Sequence, residues 1–183
     1  IIIGIILILG IIFIISKEKK EDLTTIRVAE VTHSIFYAPF YVAIENNYFK
    51  DEDLNIDLIL TSGADKVAAA VLSNDVDVGF AGPESTIYVY KQGETDYLKS
   101  FAGLTKRDGQ FIVSKKNENI SLQDLKGKEI LVGRKGGMPA LNFLNALKNN
   151  NIKEKELNIN YSIDFASLSG SFIGGVGDYV NLF

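Results

Sequence analysis

The chain has 183 residues, 46% of them hydrophobic and 23% charged, a globular composition with apolar mass for one large or two small domains. A formal net charge of −4 argues against the basic face that nucleic-acid binding requires. The lack of cysteine excludes a disulfide framework, a thiolate metal site and a cysteine nucleophile, and a single histidine excludes a multi-histidine metal site within the chain.

Ile1 to Ile15 contains only Ile, Leu, Phe and two glycines, and the charged run Ser16 to Asp22 follows it. This reads as a membrane-directed segment, one continuous helix protruding from the domain. It is either an uncleaved anchor or the apolar core of a secretory signal. With no small-x-small cleavage site after it and no cysteine for lipid attachment, the anchor is favoured. Residues 16–25 form a charged tether, and the domain is expected to start at Ile26.

Ile26 to Val31 alternates like a strand. Tyr37, Tyr41, Ile44 and Tyr48 fall at helix-face spacing, with Pro39 in the first turn and Thr32-His33-Ser34 in the loop between. A strand at Asn55 to Leu60, a Ser62-Gly63 turn and a helix at Asp65 to Asn74 follow. The strand Val76 to Ala81 then runs through Gly82 into a helix from Pro83 to Gln92. Such an alternation implies a parallel sheet flanked by helices. In a sheet of this kind the loops at the carboxyl ends of the strands open a crevice, and helices starting there offer free backbone N–H groups. Leu98 to Leu104 reads as a further strand, Phe111 to Ser114 as another, and the chain is expected to cross over between Lys106 and Ser114. Beyond lie a short helix at Ser121 to Lys128, a strand at Glu129 to Gly133, a loop with Gly136-Gly137, and a helix from Pro139 to Asn149.

The second half repeats the first at a shift of about one hundred residues. Lys50 to Asp57 lies over Lys153 to Asn160, Pro39 over Pro139, and Asp77-Val78 over Asp178-Tyr179. The order of elements repeats as well. Two similar α/β lobes are therefore expected, residues 26–108 and 109–183, with a cleft between them. The second copy stops at the point matching Ala81-Gly82, and that lobe reads as incomplete.

Residues 26–183 resemble the solute-binding proteins of ABC importers in the NMT1/THI5-like group, which includes binders of nitrate, aliphatic sulfonates, taurine and thiamine precursors. The residues that carry the resemblance are Tyr37-Ala38-Pro39-Phe40-Tyr41-Val42-Ala43, Asn47-Tyr48-Phe49, Asp75 to Phe80, Asp124 to Lys128, Gly133 to Pro139, and Gly177 to Val180. The resemblance implies a type II periplasmic-binding-protein-like fold. It also implies a small organic or oxyanion solute captured outside the cell, and delivery to a membrane permease and its ATPase. The chain departs from many Gram-positive relatives in lacking the lipid-anchoring cysteine.

The candidate ligand-binding residues are the loop ends on one edge of the expected sheets. They are His33, Ser34 and Phe36, then Ser62 and Gly63, then Gly82, Pro83 and Glu84, with Gly136 and Gly137 as their counterparts in the second lobe. His33 and Ser34 offer donors and acceptors, and the helix starts favour an anionic or strongly accepting group, although Glu84 suits an amine. No cofactor or metal is expected. No paired carboxylates, Ser/His/Asp order or phosphate loop appears, and the cysteine-rich iron segment of the fungal pyrimidine synthases sharing this fold is missing, so the chain reads as a binder and not an enzyme. The alternative is the extracellular sensing domain of a membrane-bound receptor.

Overall fold

The computed structural model describes residues 22–107 and 109–183. The expected membrane-directed helix at Ile1 to Ile15 lies outside them. Among the described residues no helix is long and apolar enough to cross a membrane.

The first half builds a parallel sheet from β1 (Thr24–Glu30), β2 (Leu54–Leu60) and β3 (Val78–Phe80) in the order β2-β1-β3, with α1 (Ala38–Glu45), α2 (Ala64–Leu72) and α3 (Glu84–Lys91) following the strands in turn. β1 begins two residues earlier than Ile26, because Thr24 and Thr25 already pair with Leu54 and Asn55. Its carboxyl half, Val28-Ala29-Glu30, is the buried part. Helix α2 turns Val67 and Ala68 inward. Gly79 on β3 lets that helix come close, since a Cβ there would lie 2.7 Å from Val67 Cγ1.

The second half has β4 (Phe111–Ser114), β5 (Glu129–Leu131), α4 (Met138–Asn149), β6 (Asn158–Asn160), α5 (Leu168–Ile173) and β7 (Tyr179–Leu182), with the sheet ordered β4-β7-β5-β6. Strands β6-β5-β7 copy β2-β1-β3, and all are parallel. β4 adds an antiparallel edge to β7.

A side-chain detail repeats with the topology. Asp77, just before β3, accepts the Arg27 backbone N–H at 2.9 Å while its own N–H donates to Arg27 O. Asp178, just before β7, does the same with Glu129. In each half one aspartate thus satisfies an amide of the central strand and sets where the last strand joins it, which is why Asp77 and Asp178 lie over one another in the sequence repeat. The internal duplication is therefore present in the backbone pairing itself.

Three expected elements differ. Leu98 to Leu104 forms no strand, and Phe101 is 82% exposed there. Its apolar residues meet no neighbouring strand, and alternation without a partner does not make a ladder. Ser121 to Lys128 is a 3-10 turn at Leu122–Leu125, held by a Ser121/Asp124 capping box. The strand expected from Val76 shortens to Val78–Phe80, with Val76 buried against Ala29 and Val67.

Candidate ligand-binding site

The parallel strands of both halves end on the same side as the loops singled out from sequence, and those loops meet in two places. At one end of the seam between the halves lies a pocket of about 190 Å³, with Thr32, His33 and Ser34 after β1 on one wall and Phe165, Ala166 and Ser169 on the other. Leu182 and Phe183 complete it. Phe36 stands beside this pocket, its ring stacked on Phe183 at 4.7 Å, and Phe183 in turn meets Phe165 at 4.8 Å.

The first wall rests on a buried carboxylate. Glu30, the last residue of β1, is 2% exposed and has both oxygens engaged: Tyr41 O–H donates to Oε2 at 2.6 Å, and His33 Nδ1 lies 2.7 Å from Oε1. Tyr41 also accepts the Ser34 N–H, and its ring stacks with His33 at 4.5 Å. Burial and the bond to Glu30 push the Tyr41 hydroxyl up to about 12. Burial, then the charges of Glu30 and Glu84, lift Tyr37 to about 12 as well. The result is an imidazole whose Nδ1 is committed to Glu30. In the neutral ring the other nitrogen is an acceptor for a solute N–H or O–H. Ser34 Oγ accepts the Phe36 N–H and caps the 3-10 turn Ile35–Tyr37, so its own hydroxyl hydrogen stays free to donate.

The remaining candidates meet along the seam in contacts between the two halves. Glu84, at the start of α3, is 5% exposed, and its Oε1 accepts the Met138 N–H at 3.1 Å. Gly82 makes room for it, since a Cβ at Gly82 would collide with the Glu84 carboxylate. Burial raises the Glu84 carboxyl above its ordinary value, opposed by its bonds to its own and the Met138 backbone amides. Pro83 sits at the cap of α3, one position before the first helical residue it was expected to occupy. Tyr88 O–H donates to Gly136 O at 2.9 Å. Gly136 has φ +87°, a left-handed turn residue, whereas Gly137 has φ −75° and caps α4 in extended conformation. Gly63 (φ +123°) caps α2, and a Cβ there would lie 2.7 Å from Arg134 Nη2. Arg134 itself pairs with Asp65, each oxygen taking one guanidinium nitrogen. Ser62 is exposed beside this pair. Buried Asn181 on β7 donates to Pro139 O at 3.2 Å and so holds the start of α4 at the strand ends.

His33, Ser34 and Phe36 therefore gather at the pocket, while Gly63, Gly82, Glu84, Gly136 and Gly137 gather at the contact surface. Sequence reasoning did not reach Glu30, Asp65, Arg134, Phe165 or Ser169. The repeat contained a usable signal for one of them, because Phe165 follows β6 as Ser62 follows β2. Among the described residues no cluster of His, Asp or Glu is arranged to hold a metal ion.

Comparison with known proteins agrees with this architecture. A protein solved from Bordetella bronchiseptica RB50 superposes with a TM-score of 0.67 at 22% identity, covering 88% of this chain and 51% of that one. The periplasmic aliphatic sulphonate binding protein SsuA of Escherichia coli gives a TM-score of 0.58 at 18% identity, over 87% of this chain and 54% of its own. These identities speak for the fold alone, a type II periplasmic-binding-protein-like pair of α/β lobes. In sequence, YtlA of Bacillus subtilis (strain 168), provisionally named a binding protein, is 44% identical over 168 residues, which is 91% of this chain and 50% of YtlA. The chain thus spans about half the length of the curated relative it matches. The family model described as NMT1/THI5 like matches residues 35–181, from the turn after β1 to the last strand, and the chain belongs to that family.

Proposed function

We propose that this chain is part of an extracytoplasmic solute-binding protein of an ABC importer, capturing a small solute between its two lobes and presenting it to a membrane permease and its ATPase. The observation that carries the reading is the cleft wall at the end of β1, where a buried Glu30 orients His33 toward a pocket whose opposite wall comes from a different lobe. A pocket made by two lobes binds only when they are together, which is how a solute is exchanged for a change of shape that a permease can read. The volume of about 190 Å³ falls below the roughly 300–1,000 Å³ usual for ligand pockets, which favours a small solute. In this reading the lobe boundary lies at residues 108 and 109, and the hinge lies between Lys106 and Ser114, ahead of the strand that joins the second sheet.

Calorimetric titration of the full-length protein with a panel of pyrimidines, sulfonates, nitrate and flavins tests the reading. One member should bind, and His33→Ala should weaken it while Lys153→Ala, outside the cleft, should not. If His33→Ala and wild type bind the same compound equally well, the pocket is not the site.

A further inference from the structure

The face that the second lobe turns toward the first has two features suited to an anion. One is the start of the twelve-residue helix α4, where Met138 presents a backbone N–H, and the other is the Arg134 guanidinium. Both are already engaged by carboxylates of the first lobe. Glu84 lies on Met138 N, and Asp65 pairs with Arg134, whose charge Asp164 also faces. Glu84 is not a surface group that an arriving solute could push aside. It is 5% exposed, and its Oε2 is buried with no hydrogen-bond partner, packed over Gly82. An anion entering at α4 would find the Met138 N–H already taken by this buried carboxylate. The groups recorded against Glu84 add no positive charge, being the phenol of Tyr37 and the backbone of Met138 and of Glu84 itself. Among the described residues that line the adjoining pocket, the one basic side chain is His33, and it is tied to Glu30.

Resting on the solute-binding reading above, we propose that Glu84 and Asp65 are specificity-determining residues that close this cleft to anionic solutes, so that its solute is uncharged or cationic. The anion expected at the helix start from its free N–H groups is, on this proposal, supplied by the protein itself. Like charge placed at a binding surface selects by repulsion, and it needs no contact with the accepted solute to do so.

The experiment measures uptake of methanesulfonate and of nitrate by the full-length protein, by calorimetry and by the shift in thermal unfolding midpoint, for wild type, Glu84→Gln and Asp65→Asn. Wild type should show no midpoint shift with either anion, and each variant should gain methanesulfonate affinity on the order of tenfold, the scale of one freed helix-start or guanidinium contact. Asp65 is 62% exposed, so Asp65→Asn keeps the test alive should Glu84→Gln fold poorly. Saturable methanesulfonate or nitrate binding by wild type, or no gain in either variant, overturns the proposal. A gain confined to the variants supports it, while the solute-binding reading is tested separately, by whether His33→Ala weakens binding of a compound from the solute panel.

Discussion

The two halves share one topology and use it differently. In the second, Leu125, Ile130, Val132, Ala140, Phe143 and Leu147 pack into a continuous core under α4, Leu131, Leu168 and Val180 fill the opposite face, and β4 covers the outer edge of β7. In the first, the core shrinks to Ala29, Val67 and Val76, α1 buries no residue fully, and α3 buries only Glu84 and Ser85 while exposing Ile87 and Tyr90. Among the described residues the buried acidic groups, Glu30 and Glu84, are both in the first half, and both sit where strands end or helices begin. The same fold can therefore place most of its hydrophobic stabilisation in one lobe and its buried carboxylates in the other. A buried carboxylate is costly, and in the first lobe each one is kept next to donors at the cleft.

The sharpest test of that division compares core truncations. Leu131→Ala, at a fully buried position, should cost about 2–5 kcal/mol in urea unfolding of the full-length protein, whereas Val67→Ala should cost about 2 kcal/mol. Equal losses would erase the distinction between the lobes.

Tyr41→Phe comes next. It leaves Glu30 Oε2 buried without its donor, which should cost about 1–3 kcal/mol, and it removes the acceptor of the Ser34 N–H, loosening the His33–Ser34 loop. A loss of solute affinity together with stability would sharpen the comparison, since no polar group in the second-half core has such a double role.

Acid titration should separate two carboxylates by sign. Asp77, held down to about 2 by the Arg27 side chain and then its backbone N–H, contributes stability that is present above the ordinary carboxylate range near pH 4 and lost as pH falls toward about 2. Glu84, raised by burial, contributes in the opposite sense: its share is full below about pH 4 and is lost as pH rises through its elevated value. Unfolding midpoints measured across this range should lose the acid-side fall in Asp77→Asn and the rise on mild acidification in Glu84→Gln. Identical profiles for the two variants would contradict both assignments.

The smallest effect is expected at Gly137. Its backbone is extended, and a Cβ would come no closer than 3.4 Å to Arg134 O, so Gly137→Ala should change stability by no more than about 0.5 kcal/mol. Gly82→Ala, which forces the Glu84 carboxylate off Met138, should cost more. Reversal of that order would move the tight approach from the first lobe to the second.

How much was legible in advance follows from how local each feature is. Strand β2 and helices α2, α3 and α4 were readable to within one or two residues, because side-chain periodicity and the Pro39, Pro83 and Pro139 signals act over a few neighbours. Leu98 to Leu104 misled for the complementary reason: its pattern is local, but a strand exists only with a partner. His33, Ser34 and Phe36 were legible as a strand-end loop. Phe165 was open to the repeat alone, and Ser169 was not legible, since it joins His33 at one pocket only after β5, β6 and β7 have assembled.

Composition and the repeat thus determined by themselves an acidic, cysteine-free α/β chain with a duplicated strand order, since these depend on residue types and spacing alone. The role of each helix start was decided in three dimensions. Glu84 and Met138 are fifty-four positions apart and Asp65 and Arg134 sixty-nine, and no short-range pattern records that one lobe's carboxylate will occupy the other lobe's helix start. That pairing arises only when both sheets are complete and their loop edges are pressed together, where a buried carboxylate must find a donor and the nearest free backbone N–H belongs to the opposite lobe.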